Sequence, residues 1–104
     1  MISIEINRNE DKQVIACHID GHAGYDNHGY DIVCAAVSVL SCTAIVGLQQ
    51  VAHQDGDYSN ASGRCDMVLL GDITQSGQDI LETMILGLSE VSRQYPEFVQ
   101  ISSK

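Results

Sequence analysis

Tryptophan is absent from this 104-residue chain, phenylalanine and proline occur once each, and only five residues are basic. Five Lys and Arg against fourteen Asp and Glu leave a net charge of −9. Clusters of cations that could hold a phosphate backbone are therefore missing, and no direct nucleic-acid binding is expected. A cationic partner suits this balance better. The four cysteines, Cys17, Cys34, Cys42 and Cys65, include no C-x-x-C pair. Met1 to Glu5 has neither a basic stretch nor an apolar one of secretory type, so a cytoplasmic protein without a disulfide framework is expected.

Charge is also missing from Ile32 to Leu48. Such a stretch reads as a helix apolar on most of its faces, which must be buried. Ser38, Ser41 and Thr43 dilute it, and no basic residues flank it, so a membrane span is not expected. A sheet can cover one face, leaving the other to a second helix or a second subunit.

With 44% hydrophobic and 18% charged residues, the composition is that of a folded protein, and the length fits a single domain over 1–104. Ile2, Ile4 and Ile6 alternate with polar residues, Arg8 to Lys12 make a turn, and Val14 to Ile19 resume an apolar run, which reads as a hairpin. Gly21 to Tyr30 reads as a loop. After the apolar helix, Gly56 to Ala61 and Cys65 to Leu70 read as strands joined at Ser62-Gly63. Ser76 and Asp79 resemble a capping box opening a second helix, with Ile80, Leu81, Met84, Leu88 and Val91 on its core stripe. Tyr95-Pro96 stops that helix, and Phe98 to Ile101 reads as a last strand. The expected fold is an α+β two-layer sandwich in the order ββαββαβ, with two helices and a mostly antiparallel sheet.

The chemistry concentrates between Gly21 and Ser38. If Tyr30 or Asp31 caps the apolar helix, Cys34 falls in about its first turn, where free amides and partial positive charge favour a thiolate. The bland alternative packs Cys34 in the core beside Ala35 and Ala36. Cys17, Cys42 and Cys65 are expected to be small buried hydrophobes. Of the nearby histidines, His18 sits in a strand pattern and His28 before a turn. His22, between Gly21 and Ala23, has the small neighbours that allow close approach and is the preferred general base. Asp31 could orient the imidazole, but capping the helix is the commoner use of an Asp at such a place. Amides around Cys34 could form an oxyanion hole. Ser38, one turn deeper on the same face, could touch substrate or bond its own helix. The set Cys17, His18, His22, His28 and Cys34 contains zinc-binding types, but its spacing matches no usual site and adjacent strand residues point to opposite faces. Neither a metal nor a cofactor is expected.

The run Gly21-His22-Ala23, followed by Gly29-x-Asp31-Ile32-Val33-Cys34-Ala35-Ala36-Val37-Ser38, resembles the signature of the bacterial ribosomal-processing cysteine protease family, Prp. The resemblance extends more loosely along the chain to Tyr95-Pro96-Glu97. It implies a small cytosolic homodimer with a Cys-His dyad, Cys34 as nucleophile and His22 as its partner. It further implies removal of the N-terminal extension of a basic large-subunit ribosomal protein that lies near the peptidyl-transferase centre, with a cut after aromatic residues. Gly21, Ala23 and Ser38 are candidate substrate contacts. Glycines at 21, 24 and 29 lead to the expectation that the loop closes over bound peptide. Two other readings stand beside this one. A non-catalytic module could capture a basic ribosomal protein or peptide with the same loop, and a thiol redox sensor would need a resolving cysteine closer than Cys42, two helical turns away.

Overall fold

The computed structural model describes residues 1–21, 28–61 and 63–104; of 28–31 only the backbone is described. Its elements follow the expected order: β1 (Ile2–Arg8), β2 (Val14–Asp20), α1 (His28–Gln50), β3 (Gly56–Ala61), β4 (Arg64–Leu69), α2 (Gln75–Gln94) and β5 (Val99–Ser103). The five strands form one sheet in the order β3-β4-β2-β1-β5. Only the β1–β5 pair is parallel, because the chain returns through α2 before adding its last strand at the far edge.

Alternation along the strands sorts the sheet into two faces. Ile2, Ile4 and Ile6 of β1 oppose Val99, Ile101 and Ser103 of β5. On its other side β1 sets Ile4 against Ile19 and Ile6 against Cys17 of β2, and β4 continues these rows with Cys65 and Met67. These apolar residues form the core with Val33, Val37, Ala44 and Leu48 of α1 and Leu81, Met84 and Leu88 of α2. The opposite face is polar, and its rows are charged. His18 Nδ1 lies 2.6 Å from Asp66 Oδ1, Arg64 reaches the same carboxylate at 3.0 Å, and Lys104 meets Glu5 at 3.0 Å. Arg64, then His18, hold the Asp66 carboxyl below its ordinary range.

Two buried glutamines join the layers. Gln78 of α2 donates to Val14 O and accepts from Val14 N, both at 2.8 Å, in place of a neighbouring strand. Gln54 donates to Asp55 O and Asp72 O and accepts from Thr74 N, fastening the α1–β3 connection to the β4–α2 connection. Among the described residues, every buried side-chain nitrogen and oxygen has a partner.

Both helix starts differ from the sequence reading. Helix α2 begins at Gln75 with Thr74 as its N-cap: Thr74 is extended (φ −89°, ψ 147°), and its hydroxyl accepts from Gly77 N. The cap lies two residues before Ser76 because the Gln54 amide already holds Thr74 in place. Helix α1 begins at His28, inside the stretch read as loop. Asp31 is thus its fourth residue and not its cap. By length and composition α1 could cross a membrane, with mean hydropathy 2.1 over Ile32–Gln50, yet four of its side chains lie in the core shared with the sheet.

Gly21 closes the end of β2. Its N–H donates to Gly63 O at 3.0 Å, and its φ of 147° is one that side chains rarely adopt. A Cβ there would stand 2.5 Å from Met1 O and 2.8 Å from Ile2 Cα, so the start of β1, the end of β2 and the β3–β4 turn meet at a point with room only for hydrogen. Gly21→Ala is expected to lose about 2 kcal/mol or more of stability through backbone strain and steric overlap. Urea unfolding of the variant against the parent measures it.

Candidate active site

A cleft of about 480 Å³ opens where α1 passes the ends of β2 and β3. Cys34, Ser38 and Ser41 line its helical wall, Asn60, Ala61 and Arg64 the wall from the β3–β4 hairpin, and Ile2, Ile19 and Val37 its apolar floor. Gly21 stands at its rim. Of the residues singled out in the sequence, the structure thus brings together Cys34, Ser38 and Gly21. His22 and Ala23 lie outside the described residues, as does most of the loop expected to close over peptide, and of Asp31 only the backbone is described.

Cys34 is half-buried, with access to the cleft. It sits six residues after His28, in the second turn of α1. This corrects the expectation of a first-turn cysteine. The unpaired amides of a helix are those of its first turn, here up to residue 30, whereas the amide of residue 34 bonds back into the helix. Amides flanking Cys34 therefore do not supply an oxyanion hole, and the dipole field, which fades within one turn, is weaker at Cys34 than expected. Helix side chains tilt toward the N-terminus, so Cys34 leans toward the start of α1. A base close to this thiol would therefore matter more to its reactivity than the helix does.

His18 does not reach the cysteine cleft. It belongs to the outer face of the sheet, tied to Asp66, and lines a separate hollow of about 850 Å³ with Asp20 and Arg64. His53 follows the end of α1 near Gln54 and Tyr58, away from Cys34. Among residues with described side chains, no histidine lines the cysteine cleft. No group of His, Cys, Asp and Glu suited to a metal is found among the described residues.

The other thiols divide by environment. Cys17 is fully buried beneath the helices, and burial pushes its thiol up to about 12. Burial likewise raises the Cys65 thiol, against a smaller opposing effect of a hydrogen bond with Ser41. The Ser41 hydroxyl also donates to Val37 O at 2.9 Å, the helix back-bond considered above for Ser38. Ser38 itself is exposed on the cleft. Cys42 is exposed, against the expectation of burial, and accepts a hydrogen bond from Asn60 Nδ2. A helix with no charge conceals which of its faces looks outward, which is why the sequence did not mark Cys42 as exposed.

Comparisons with known proteins point to one family. The family model for Cysteine protease Prp matches residues 1–100. The ribosomal processing cysteine protease Prp of Staphylococcus aureus is 31% identical over 107 residues, all of both chains. Two crystal structures of the S. aureus protease cover both chains completely. The complex with a substrate peptide superposes at TM-score 0.92 and 24% identity, and the complex with a covalently linked product peptide at 0.90 and 25%.

Alkylation separates the four thiols in the native protein. Iodoacetamide is expected to modify Cys34 and Cys42 within minutes and to leave Cys17 and Cys65 untouched until the chain is unfolded, since buried thiols carry almost no thiolate. Peptide mapping by mass spectrometry reads the order; early labelling of Cys17 would contradict the described core.

Proposed function

The chain belongs to the Prp family of cysteine proteases, and from that premise we propose that it removes the N-terminal extension of a bacterial large-subunit ribosomal protein, using Cys34 as nucleophile and His22 as general base. The observation that carries this reading is a half-buried thiol opening on a cleft with an apolar floor. His22 directly follows Gly21, which stands at the rim of that cleft, while His18 and His53 lie elsewhere. The S. aureus relative is named a ribosomal processing protease, and a net charge of −9 suits a basic ribosomal-protein substrate.

In this reaction the extended peptide lies in the cleft with an apolar side chain over Ile2, Ile19 and Val37. His22 takes the proton of Cys34, and the thiolate attacks the scissile carbonyl carbon. The tetrahedral adduct collapses as the imidazolium gives its proton to the leaving amine. A water molecule, deprotonated by the same imidazole, then hydrolyses the thioester and frees the thiol. Asp31, in the first turn of α1, is the candidate to orient the imidazole.

The reading includes a homodimer in the cytoplasm. Ile32, Val39 and Val46 are exposed on α1, as are Val51 just beyond its end and Leu86 on α2. Beside Val39 an apolar groove of about 580 Å³ runs between the helices, lined by Leu40, Gly47 and Ile80. A second copy placed on this face supplies the cover that a charge-free helix needs. In a reducing compartment Cys34 stays a free thiol, the form the reaction needs.

Incubation with a synthetic peptide carrying the ribosomal-protein extension, followed by mass spectrometry, tests the activity. The parent is expected to cut once and Cys34→Ala to lose at least about a thousandfold in turnover while keeping its fold. Equal turnover by the variant overturns Cys34 as the nucleophile. Peptide binding without cleavage by either protein favours the non-catalytic binding module. On the dimer, Val39→Glu is expected to shift the sedimentation coefficient from dimer to monomer.

A further inference from the structure

Of the two edges of the sheet, β3 and β5, only β3 ends at the cysteine cleft. Its last residues, Asn60 and Ala61, line that cleft, whereas β5 borders the hollow on the outer face. The backbone of β3 is left open in a regular way. Leu70 N donates to Asp55 O across the β3–β4 pair, and the register then runs Asp57↔Val68, Ser59↔Asp66 and Ala61↔Arg64 without a shift. In an antiparallel pair, residues that bond to the partner strand alternate with residues whose N–H and C=O point away. Asp57, Ser59 and Ala61 therefore bond to β4, and Gly56, Tyr58 and Asn60 present their N–H and C=O to the free edge.

Exposed strand edges are normally blunted by lysine, proline, a bulge or a covering element. Strand β3, Gly-Asp-Tyr-Ser-Asn-Ala, has no lysine, proline or register shift, and its last three residues are exposed. The Asn60 side chain bonds Cys42 of α1, which fixes the end of the strand beside the helix that carries Cys34. We infer that β3 is the docking edge for the substrate. An extended peptide segment on one side of the scissile bond adds to the sheet as a sixth strand, pairing with the backbone of Tyr58 and Asn60, and so delivers the next peptide bond to Cys34.

This inference rests on the protease reading and deepens it. Main-chain pairing accounts for affinity that does not depend on substrate side chains, and the apolar floor of the cleft is then left to choose the residue at the cut. Six residues of strand extend about 20 Å, enough for a segment of five or six residues. Asp55 and Asp57 beside this edge add negative charge suited to a basic segment.

Residue-resolved amide hydrogen exchange tests the docking. Cys34→Ala is saturated with the uncleaved extension peptide, and cleavage of the same peptide by the parent is followed in parallel. The Tyr58 and Asn60 amides are expected to slow by about tenfold or more, while Asp57 and Ser59, already bonded to β4, and the amides of β5 change little. Unchanged exchange at Tyr58 with peptide bound and the parent still cutting overturns the strand pairing and leaves the protease intact. No binding and no cleavage overturns both.

Discussion

A helix without a charged side chain from Ile32 to Leu48 must be covered on more than one side, and the arrangement of this molecule follows from how that is done. The sheet turns its isoleucine-rich face toward α1 and takes up Val33, Val37, Ala44 and Leu48, which are nearly or completely buried. Helix α2 lies along a second side, close enough that a Cβ on Gly47 would press on Ile80 and one on Gly87 on Leu40. Cys34 falls between the buried stripe and the open one, which leaves it half-buried over a cleft. The proposed role as nucleophile needs that compromise: enough protein around the thiol to orient a substrate and exclude water, and enough opening to admit a peptide.

The electrostatics divide in the same way as the layers. Ion pairs occupy the outer face of the sheet and the surface, as in Arg64 with Asp66 and Arg8 with Glu82, and such pairs add little stability. The interior is closed by neutral amides instead. Gln54 and Gln78 satisfy backbone groups at places where a strand or a helix ends, and an unpaired group left there would be costly to bury. Among the described residues the ion pairs stand apart from the Cys34 cleft except at Arg64, which lines it.

Much of the fold was legible in the sequence because burial imposes a period. The alternation of Ile2, Ile4 and Ile6 and the helical spacing of Leu81, Met84 and Leu88 match the core residue by residue. Local periodicity carries no information about partners distant in sequence, and there the reading fell short. The amide of Gln78 meets Val14 across 64 positions, and Gln54 holds Thr74 from 20 positions away, which moved the start of α2. The start of α1 was missed for another reason: His28, Gly29 and Tyr30 are poor helix formers, so propensity favours a loop. At the site, Cys34 and Gly21 were found through their setting in the signature. The β3 wall was not, because a strand edge becomes part of a cleft only through the order of strands in the sheet.

The proposed cleavage turns on Cys34, half-buried at the side of a helix and one turn beyond that helix's free amides, as the group that attacks the peptide bond. The most direct test is inactivation by a peptidyl chloromethyl ketone built on the residues preceding the cut, with the label located by tandem mass spectrometry. Loss of activity in step with stoichiometric alkylation of Cys34 is the expected result. Full inactivation with Cys34 unmodified and the label on exposed Cys42 would contradict it.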